Sequence, residues 1–172
     1  SVEITIDNPG EDGIGEICAK GGNVMLGYYE MPEETNRVLI DGVFHTGDLG
    51  YLDQDGFLFI TGRKKAVIVL ENGKNVFPEE MEEYLENIDT IAEVVVLGRD
   101  SDEGVKLTAV IYPNFDKFDK NTSQDQIQST ISNQIKELNK KLVAYKQIRV
   151  IEFRSTEFEK TTSRKIKRHL IK

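Results

Sequence analysis

Short apolar runs separated by turn signals fill the first part of the chain, residues 1–63. Dipeptides such as Pro9-Gly10 and Asp55-Gly56 interrupt the runs at short intervals. Short strands between tight turns are typical of a small β-rich unit. One short helix is predicted inside this unit, from about Pro32 to Val38.

A hairpin signal opens the second part, residues 66–172. The segment AVIVLENGKNVF places Asn72-Gly73 between two apolar runs. Asn-Gly is the preferred pair of a two-residue hairpin turn, because both turn positions require a positive φ. We therefore predict a β-hairpin at this point of the chain.

Two amphipathic helices are predicted after the hairpin. Pro78, followed by several glutamates, is typical of a helix start, since proline suits the first turn and acids favour the positive end of the helix dipole. Ser123 and Gln126 have the spacing of a capping box. Apolar residues then recur at helical spacing: Ile127, Ile131, Ile135, Leu138 and Leu142.

Three segments in the second part are predicted as strands, AEVVVLGRD, VKLTAVIYP and QIRVIEF, and residues 163–171 as a last short helix. The predicted fold class is therefore α+β. A small β-rich N-terminal piece precedes a compact mixed domain, which has a β-hairpin and a central sheet flanked by helices.

Composition and charge narrow the possible functions. The 172 residues carry a formal net charge of −8, and 38% of them are hydrophobic. None of the apolar runs approaches the roughly 20 residues of a membrane-spanning helix. The acidic balance argues against a general nucleic-acid binder, which needs a basic face. Cys18 is the single cysteine, so we expect a buried structural thiol and a soluble cytoplasmic protein.

The sequence contains no convincing metal motif. LDQDGFL begins like a calcium loop, but Lys64 stands at its twelfth position, where a bidentate Glu is needed. We expect a hairpin turn there instead. His45 and His169 are far apart and lack further ligands at zinc spacing. We expect no metal ligands in this chain.

Three ordered motifs resemble a known superfamily. They are GEICAKGGNVMLGYYEMPEET, then the long stretch FHTGDLGYLDQDGFLFITGRKKAVIVLENGKNVFPEEMEEYL, and finally KTTSRKIKR. Together they resemble the C-terminal motifs of the acyl-adenylate-forming enzymes, and they look most like those of bacterial AMP-forming long-chain fatty-acid–CoA ligases. The resemblance covers nearly the whole chain in the family's order.

The resemblance implies a role for several residues. Asp48 and Arg63 would bind the nucleotide, Asp48 through the ribose hydroxyls. Lys65 would be the hinge about which a C-terminal domain swings. Asn72, Gly73 and Lys74 would line the passage for the pantetheine arm of CoA. The implied domains are residues 1–63, the β-rich end of a large adenylation domain, then the hinge at 64–65, and 66–172, the mobile C-terminal domain.

Lys165 matches the family's catalytic lysine. A lysine ammonium stays charged at neutral pH, so it can bridge the anionic carboxylate and phosphate groups that meet during adenylation. The family often has a glycine just before this lysine, where this chain has Arg164. Arginine reaches positive φ less easily than glycine, so Lys160 and Lys167 stay open as alternatives.

The resemblance implies an ATP-dependent acyl-CoA synthetase that uses ATP, CoA and a fatty acid. Its phosphate loop, magnesium ligands and acyl pocket would belong to a missing N-terminal domain, so we expect this chain to be an inactive fragment. Two alternatives stay open. One is an adenylation domain that loads a carrier protein, and the other is a non-catalytic module whose basic tail binds an anion.

Overall fold

The computed structural model describes residues 1–171 and divides the chain into two compact units. The first unit spans Ser1–Val67, and the second begins at Ile68. The predicted α+β class is confirmed, with a β-rich unit followed by a mixed unit. None of the helices in the described part of the chain combines the length and apolarity needed to cross a membrane.

The first unit is built on a five-stranded antiparallel sheet. Its strands are β1 (Val2–Asp7), β2 (Gly15–Gly21), β3 (Leu39–Ile40), β4 (Val43–Leu52) and β5 (Leu58–Arg63). The order is β1-β2-β4-β3, and β5 pairs with β4. The predicted helix is present as α1 (Pro32–Val38). The predicted turn at Asp53 is also present, because its Oδ1 accepts the N–H groups of Asp55 and Phe57.

The second unit contains a short hairpin, a three-stranded sheet and two helices. The hairpin pairs β6 (Ile68–Val69) with β7 (Asn75–Val76). The sheet has the order β10-β9-β8, from β8 (Ile91–Arg99), β9 (Lys106–Pro113) and β10 (Val150–Phe153). The helices are α2 (Pro78–Glu86) and α3 (Gln124–Asn139). The capping box of Ser123 and Gln126 is present, as predicted.

The turn of the hairpin differs from the predicted two-residue type. Gly73 has a φ of +73°, but Asn72 is not among the residues with positive φ. The N–H of Gly73 donates to the Leu70 carbonyl, and the N–H of Leu70 donates to the Lys74 carbonyl. These bonds define a longer loop, in which an ordinary turn is followed by one left-handed glycine, the second common hairpin connection.

The three-stranded sheet is covered on both faces. Helices α2 and α3 pack on one face through the main core, which includes the fully buried residues Met81, Leu85, Ile131 and Val96. On the other face, Phe158 packs with Val95 and Val110, and Ile166 lies against this cluster. Neighbouring residues of a strand project to opposite faces, so β8 contributes Val95 to one cluster and Val96 to the other.

The C-terminal segment does not form the predicted helix over residues 163–171. Helical geometry is limited to a 3-10 turn at Arg168–Leu170. Before it, Lys160 and Ile166 form an isolated antiparallel bridge. Arg164 lies between them with a φ of +62°, in the left-handed region. This φ lies outside the helical region, so the chain reverses direction as a small hairpin.

Core packing against α2 leads to a stability prediction. The Leu85 side chain is fully buried, so Leu85→Ala should leave a cavity and lower the free energy of unfolding by about 2–5 kcal/mol. Leu170→Ala removes the same atoms from a residue that is 47% exposed and should cost less than about 0.5 kcal/mol. Urea denaturation of both variants measures the difference. Equal losses would show that the α2 core is misplaced.

Candidate functional site

Thr46, Gly47 and Asp48 form a bulge inside β4. Between β2 and β4, Cys18 pairs with His45 and Glu16 pairs with Leu49, so β4 carries extra residues at this point. Gly47 has a φ of +73°. A bulge of this kind redirects the chain locally and favours glycine at the left-handed position.

The bulge brings the two predicted nucleotide-binding side chains together. Asp48 and Arg63 are partners across β4 and β5. The Arg63 guanidinium donates to Asp48 Oδ1 at 2.7 Å and to the Thr46 carbonyl at 3.1 Å. The Thr46 hydroxyl donates to the Ile17 carbonyl and accepts the N–H of Asp48. The Asp48 and Arg63 side chains are 35% and 60% exposed, so a ligand can reach both.

Glu16 supports the bulge from β2, a role that no sequence motif indicated. One of its oxygens accepts the N–H of Gly47 at 3.0 Å. The other accepts the Lys64 ammonium at 2.8 Å and lies 3.3 Å from His45 Nδ1. Burial by itself raises the pKa of this carboxyl, but the bonds from Lys64, His45 and Gly47 outweigh burial and lower the pKa below its ordinary value.

Glu16 also belongs to a group of potential metal ligands that sequence spacing did not reveal. Ligand atoms of Asp7, Glu16 and His45 lie within 4.8 Å of one another. Cys18 Sγ lies 3.4 Å from His45 Nδ1, and burial raises the pKa of its thiol. The Lys64 ammonium already compensates the charge of Glu16. A bound cation would have to displace it, so these residues fit a metal poorly.

The predicted hinge residue follows Lys64 directly. Lys65 lies in a 3-10 turn at Lys64–Ala66, and its side chain is exposed. The boundary between the two compact units falls after Val67, two residues further on. Lys64, the first residue of the predicted hinge at 64–65, is thus tied to the sheet of the first unit through Glu16.

The predicted pantetheine-passage residues lie at the exposed tip of the hairpin in the second unit. Asn72 Oδ1 accepts the N–H of Lys74, and Gly73 lies between them. An open cavity of about 520 Å³ adjoins this loop. Its lining includes acidic, aromatic and basic side chains, among them Glu71, Glu103, Tyr145 and Arg149.

Lys165 is exposed on the small C-terminal hairpin. Its carbonyl accepts the N–H of Thr161 at 2.8 Å, and its own N–H donates to the Thr161 hydroxyl at 3.2 Å. The next residue, Ile166, packs against the cluster of Val95, Val110 and Phe158. These contacts hold the backbone of Lys165, while its ammonium has no ion-pair partner among residues 1–171.

The two alternative lysines are engaged with carboxylates. The Lys160 ammonium pairs with Glu93 and, at 3.3 Å, with Glu157. The contact with Glu93 raises the pKa of Lys160. The Lys167 ammonium lies 3.8 Å from Glu159 Oε2. Of these three lysines, Lys165 therefore has the ammonium that is most available to a ligand.

A profile for the AMP-binding enzyme C-terminal domain matches residues 65–172. A long-chain-fatty-acid–CoA ligase of Escherichia coli O6:H1 is 34% identical over 163 residues, which are 93% of this chain and 26% of that protein. A ligase of the same name from Bacillus subtilis is 50% identical over 84 residues, 49% of this chain and 15% of the ligase.

Solved structures extend the likeness to the whole chain. An o-succinylbenzoate–CoA synthetase from Bacillus subtilis, in complex with its acyl-adenylate intermediate, superposes with a TM-score of 0.81 and 27% identity. It is matched over 100% of this chain and 34% of its own length. An ATP-bound protein from Rhodopseudomonas palustris gives a TM-score of 0.71 at 27% identity, over 98% of this chain and 33% of its own. The chain thus spans about a third or less of these proteins.

The effect of Lys64 on the pKa of the Glu16 carboxyl can be measured directly. Lys64→Met should raise the pKa of the Glu16 carboxyl, because burial remains while the strongest of its stabilising hydrogen bonds is lost. Carbon-13 NMR titration of the side-chain carboxyl measures this change. Lys20→Met, an exposed lysine on the same strand as Glu16, is the control and should leave the pKa unchanged. An unaltered pKa in Lys64→Met would contradict the described contact.

The left-handed conformation of Arg164 predicts a gain from glycine. Arg164→Gly should raise the free energy of unfolding by about 1 kcal/mol, since glycine adopts positive φ without the steric cost of a Cβ atom. Arg164→Ala removes the same charge but keeps that cost, and serves as the matched control. If both variants have the same stability in urea, the backbone at Arg164 is not left-handed.

Proposed function

The chain belongs to the AMP-binding enzyme C-terminal domain family, and we propose that it is the C-terminal part of an AMP-forming acyl-CoA ligase. In the first half-reaction, a carboxylate oxygen attacks the α-phosphorus of ATP, the bond to the bridging oxygen breaks, and acyl-AMP and pyrophosphate form. In the second, the thiol of CoA loses its proton and attacks the acyl carbon, and AMP leaves. The availability of the Lys165 ammonium is the observation that supports this proposal most strongly.

Lys165 would stabilise the first half-reaction electrostatically. Negative charge from the carboxylate and from the phosphate accumulates in the same place as they react. A positioned ammonium offsets the repulsion without transferring a proton, and removal of one preorganised contact of this kind typically costs about 10²- to 10³-fold in rate. The exposure of Lys165 supports this role, while Lys160 and Lys167 are occupied by carboxylates.

Asp48 and Arg63 would hold the nucleotide. A carboxylate accepts hydrogen bonds from both hydroxyls of a ribose, and a guanidinium pairs with phosphate or ribose oxygens. Arg63 already orients Asp48 at 2.7 Å, so the pair is preorganised on the sheet. The group of Asp7, Glu16 and His45 fits magnesium poorly, because Glu16 already accepts hydrogen bonds from Gly47 and Lys64. We expect the ligands of magnesium to lie outside these residues.

A hinge at Lys65 would allow the two half-reactions to share one site. A lysine suited to adenylation occupies the space that the thiol needs, so one domain has to move between the steps. In this proposal residues 1–63 end the adenylation domain and residues 66–172 form the mobile domain. The hairpin tip at Asn72, Gly73 and Lys74 would then line the pantetheine passage. The neighbouring cavity offers the Tyr145 ring for stacking and the Arg149 guanidinium for phosphate.

A fatty acid is the substrate class that the proposal favours, because the ligases of Escherichia coli and Bacillus subtilis bear that name. The alternative of an anion-binding module has less support. The basic tail is not a free polycation, since Lys160, Lys167 and Arg168 each contact a glutamate. Loading of a carrier protein would use the same adenylate and is distinguished by the acceptor in the assay.

Lys165→Ala in the complete ligase that contains this chain tests the proposal. Acyl-adenylate formation from ATP and a fatty acid should fall by about 10²- to 10³-fold, because the positioned charge is lost. Thioester formation from supplied acyl-adenylate and CoA should continue. Lys140→Ala, which removes an exposed lysine paired with Glu137, is the control and should retain both rates.

Two outcomes would contradict the proposal. Equal loss of both half-reactions in Lys165→Ala would refute the role of this lysine. Transfer of the acyl group to a carrier protein, but not to CoA, would refute the identity of the acceptor and leave the adenylation step intact.

A further inference from the structure

Both ends of the C-terminal hairpin are held by carboxylates from other elements. We call residues 159–167 the lysine loop. At its start, the Lys160 ammonium pairs with Glu93 of β8. Just after its end, the Arg168 guanidinium pairs with Glu82 of α2. Lys165 lies between these two anchors and contacts neither carboxylate among the described ion pairs.

Each anchoring carboxylate is itself fixed by a backbone N–H. Glu93 accepts the N–H of Phe158 at 2.9 Å, and Glu82 accepts the N–H of Val96 at 2.7 Å. β8 is an edge strand of the three-stranded sheet, so Glu82 satisfies an N–H group that has no strand partner on that side. A carboxylate held by one oxygen presents the other in a defined place.

The carboxylates of the two anchoring ion pairs are largely buried. The Glu82 and Glu93 side chains are 10% and 14% exposed. Burial raises the pKa of the Glu82 carboxyl, although the bonds from Val96 and Arg168 act in the opposite direction. Loss of one partner from such a pair leaves a buried charge uncompensated, whereas exposed pairs contribute little.

The segment between the anchors is held by hydrogen bonds and by an apolar contact. Lys167 donates its N–H to the Glu159 carbonyl, and Thr161 and Lys165 are bonded to each other through backbone and hydroxyl groups. Ile166 packs against the apolar cluster that contains Phe158. The direction of the Lys165 side chain therefore depends on where Lys160 and Arg168 are held.

We propose that Glu93 and Glu82 are positioning residues for the adenylation lysine and act on it through Lys160 and Arg168. The inference rests on the proposed function, because it assumes that Lys165 serves acyl-adenylate formation. Thioester formation does not require Lys165 in that function. A positioning role therefore affects one half-reaction, whereas a general loss of folding affects both.

Lys160→Met and Arg168→Met in the complete ligase test the inference. Each variant removes a charge and keeps much of the apolar stem. The turnover number for acyl-adenylate formation should fall by on the order of 10²-fold, which displacement of a catalytic group by about 1 Å can cause. The KM for ATP should change little, because Asp48 and Arg63 belong to the other compact unit. Thioester formation from supplied acyl-adenylate should stay within about twofold of the unmodified rate.

Three further variants separate positioning from other effects. Lys160→Arg keeps a cation at this position and should retain most of the adenylation rate. Lys140→Met breaks the exposed pair with Glu137 and should have no effect. If Arg168→Met does not fold, the double variant Glu82→Gln with Arg168→Met removes the uncompensated charge and retains an acceptor for Val96. This double variant should show the same selective loss of adenylation.

The outcomes distinguish this inference from the proposed function. If Lys165→Ala shows no selective loss of adenylation, the proposed function fails. If Lys165→Ala is selective but Lys160→Met and Arg168→Met keep adenylation within twofold, only the positioning role is overturned. Parallel loss of both half-reactions in soluble, folded Lys160→Met would also overturn it.

Discussion

The ammonium of Lys165 is exposed, whereas nearby cations, Lys160, Lys167 and Arg168, are paired with carboxylates. Lys160 and Arg168 contact Glu93 and Glu82, and these contacts tie the C-terminal segment to the sheet and to α2. Three of the five cations in residues 160–168 are therefore paired with glutamates. Lys165, proposed to meet the ligand, has none among the described ion pairs. The apolar residue among these cations, Ile166, packs on the sheet face that the helices do not cover.

The first unit uses a buried carboxylate in a comparable way. Glu16 binds the Gly47 N–H inside the β4 bulge and the ammonium of Lys64. Asp48 and Arg63 meet at the same bulge, and the proposed hinge residue follows Lys64. One glutamate therefore connects the proposed nucleotide-binding residues with the start of the hinge. In both units, largely buried glutamates, Glu16, Glu82 and Glu93, support more exposed residues that are proposed to meet a substrate.

Local patterns predicted much of the fold, and long-range contacts account for what they missed. The helix start at Pro78, the capping box of Ser123 and the strand of AEVVVLGRD depend on neighbouring residues, so the sequence reveals them directly. Glu82 followed the helix pattern, but its burial depends on Val96 and on Arg168, 86 positions away. The bulge at Gly47 depends on the pairing register of β2 with β4, which no local pattern encodes. The residues proposed for the site were accessible only through resemblance to a family, whereas the groups that support them required coordinates.

The backbone dynamics of the lysine loop test the central claim most directly. Nitrogen-15 relaxation gives an order parameter for each backbone N–H group, and rigid backbone has a value of about 0.85. If ion pairs hold the loop around a free ammonium, Thr161 and Lys165 should match Val95 and Val110 of the sheet near that value. Order parameters below about 0.6 at Thr161 and Lys165 would show a flexible tail and contradict the account.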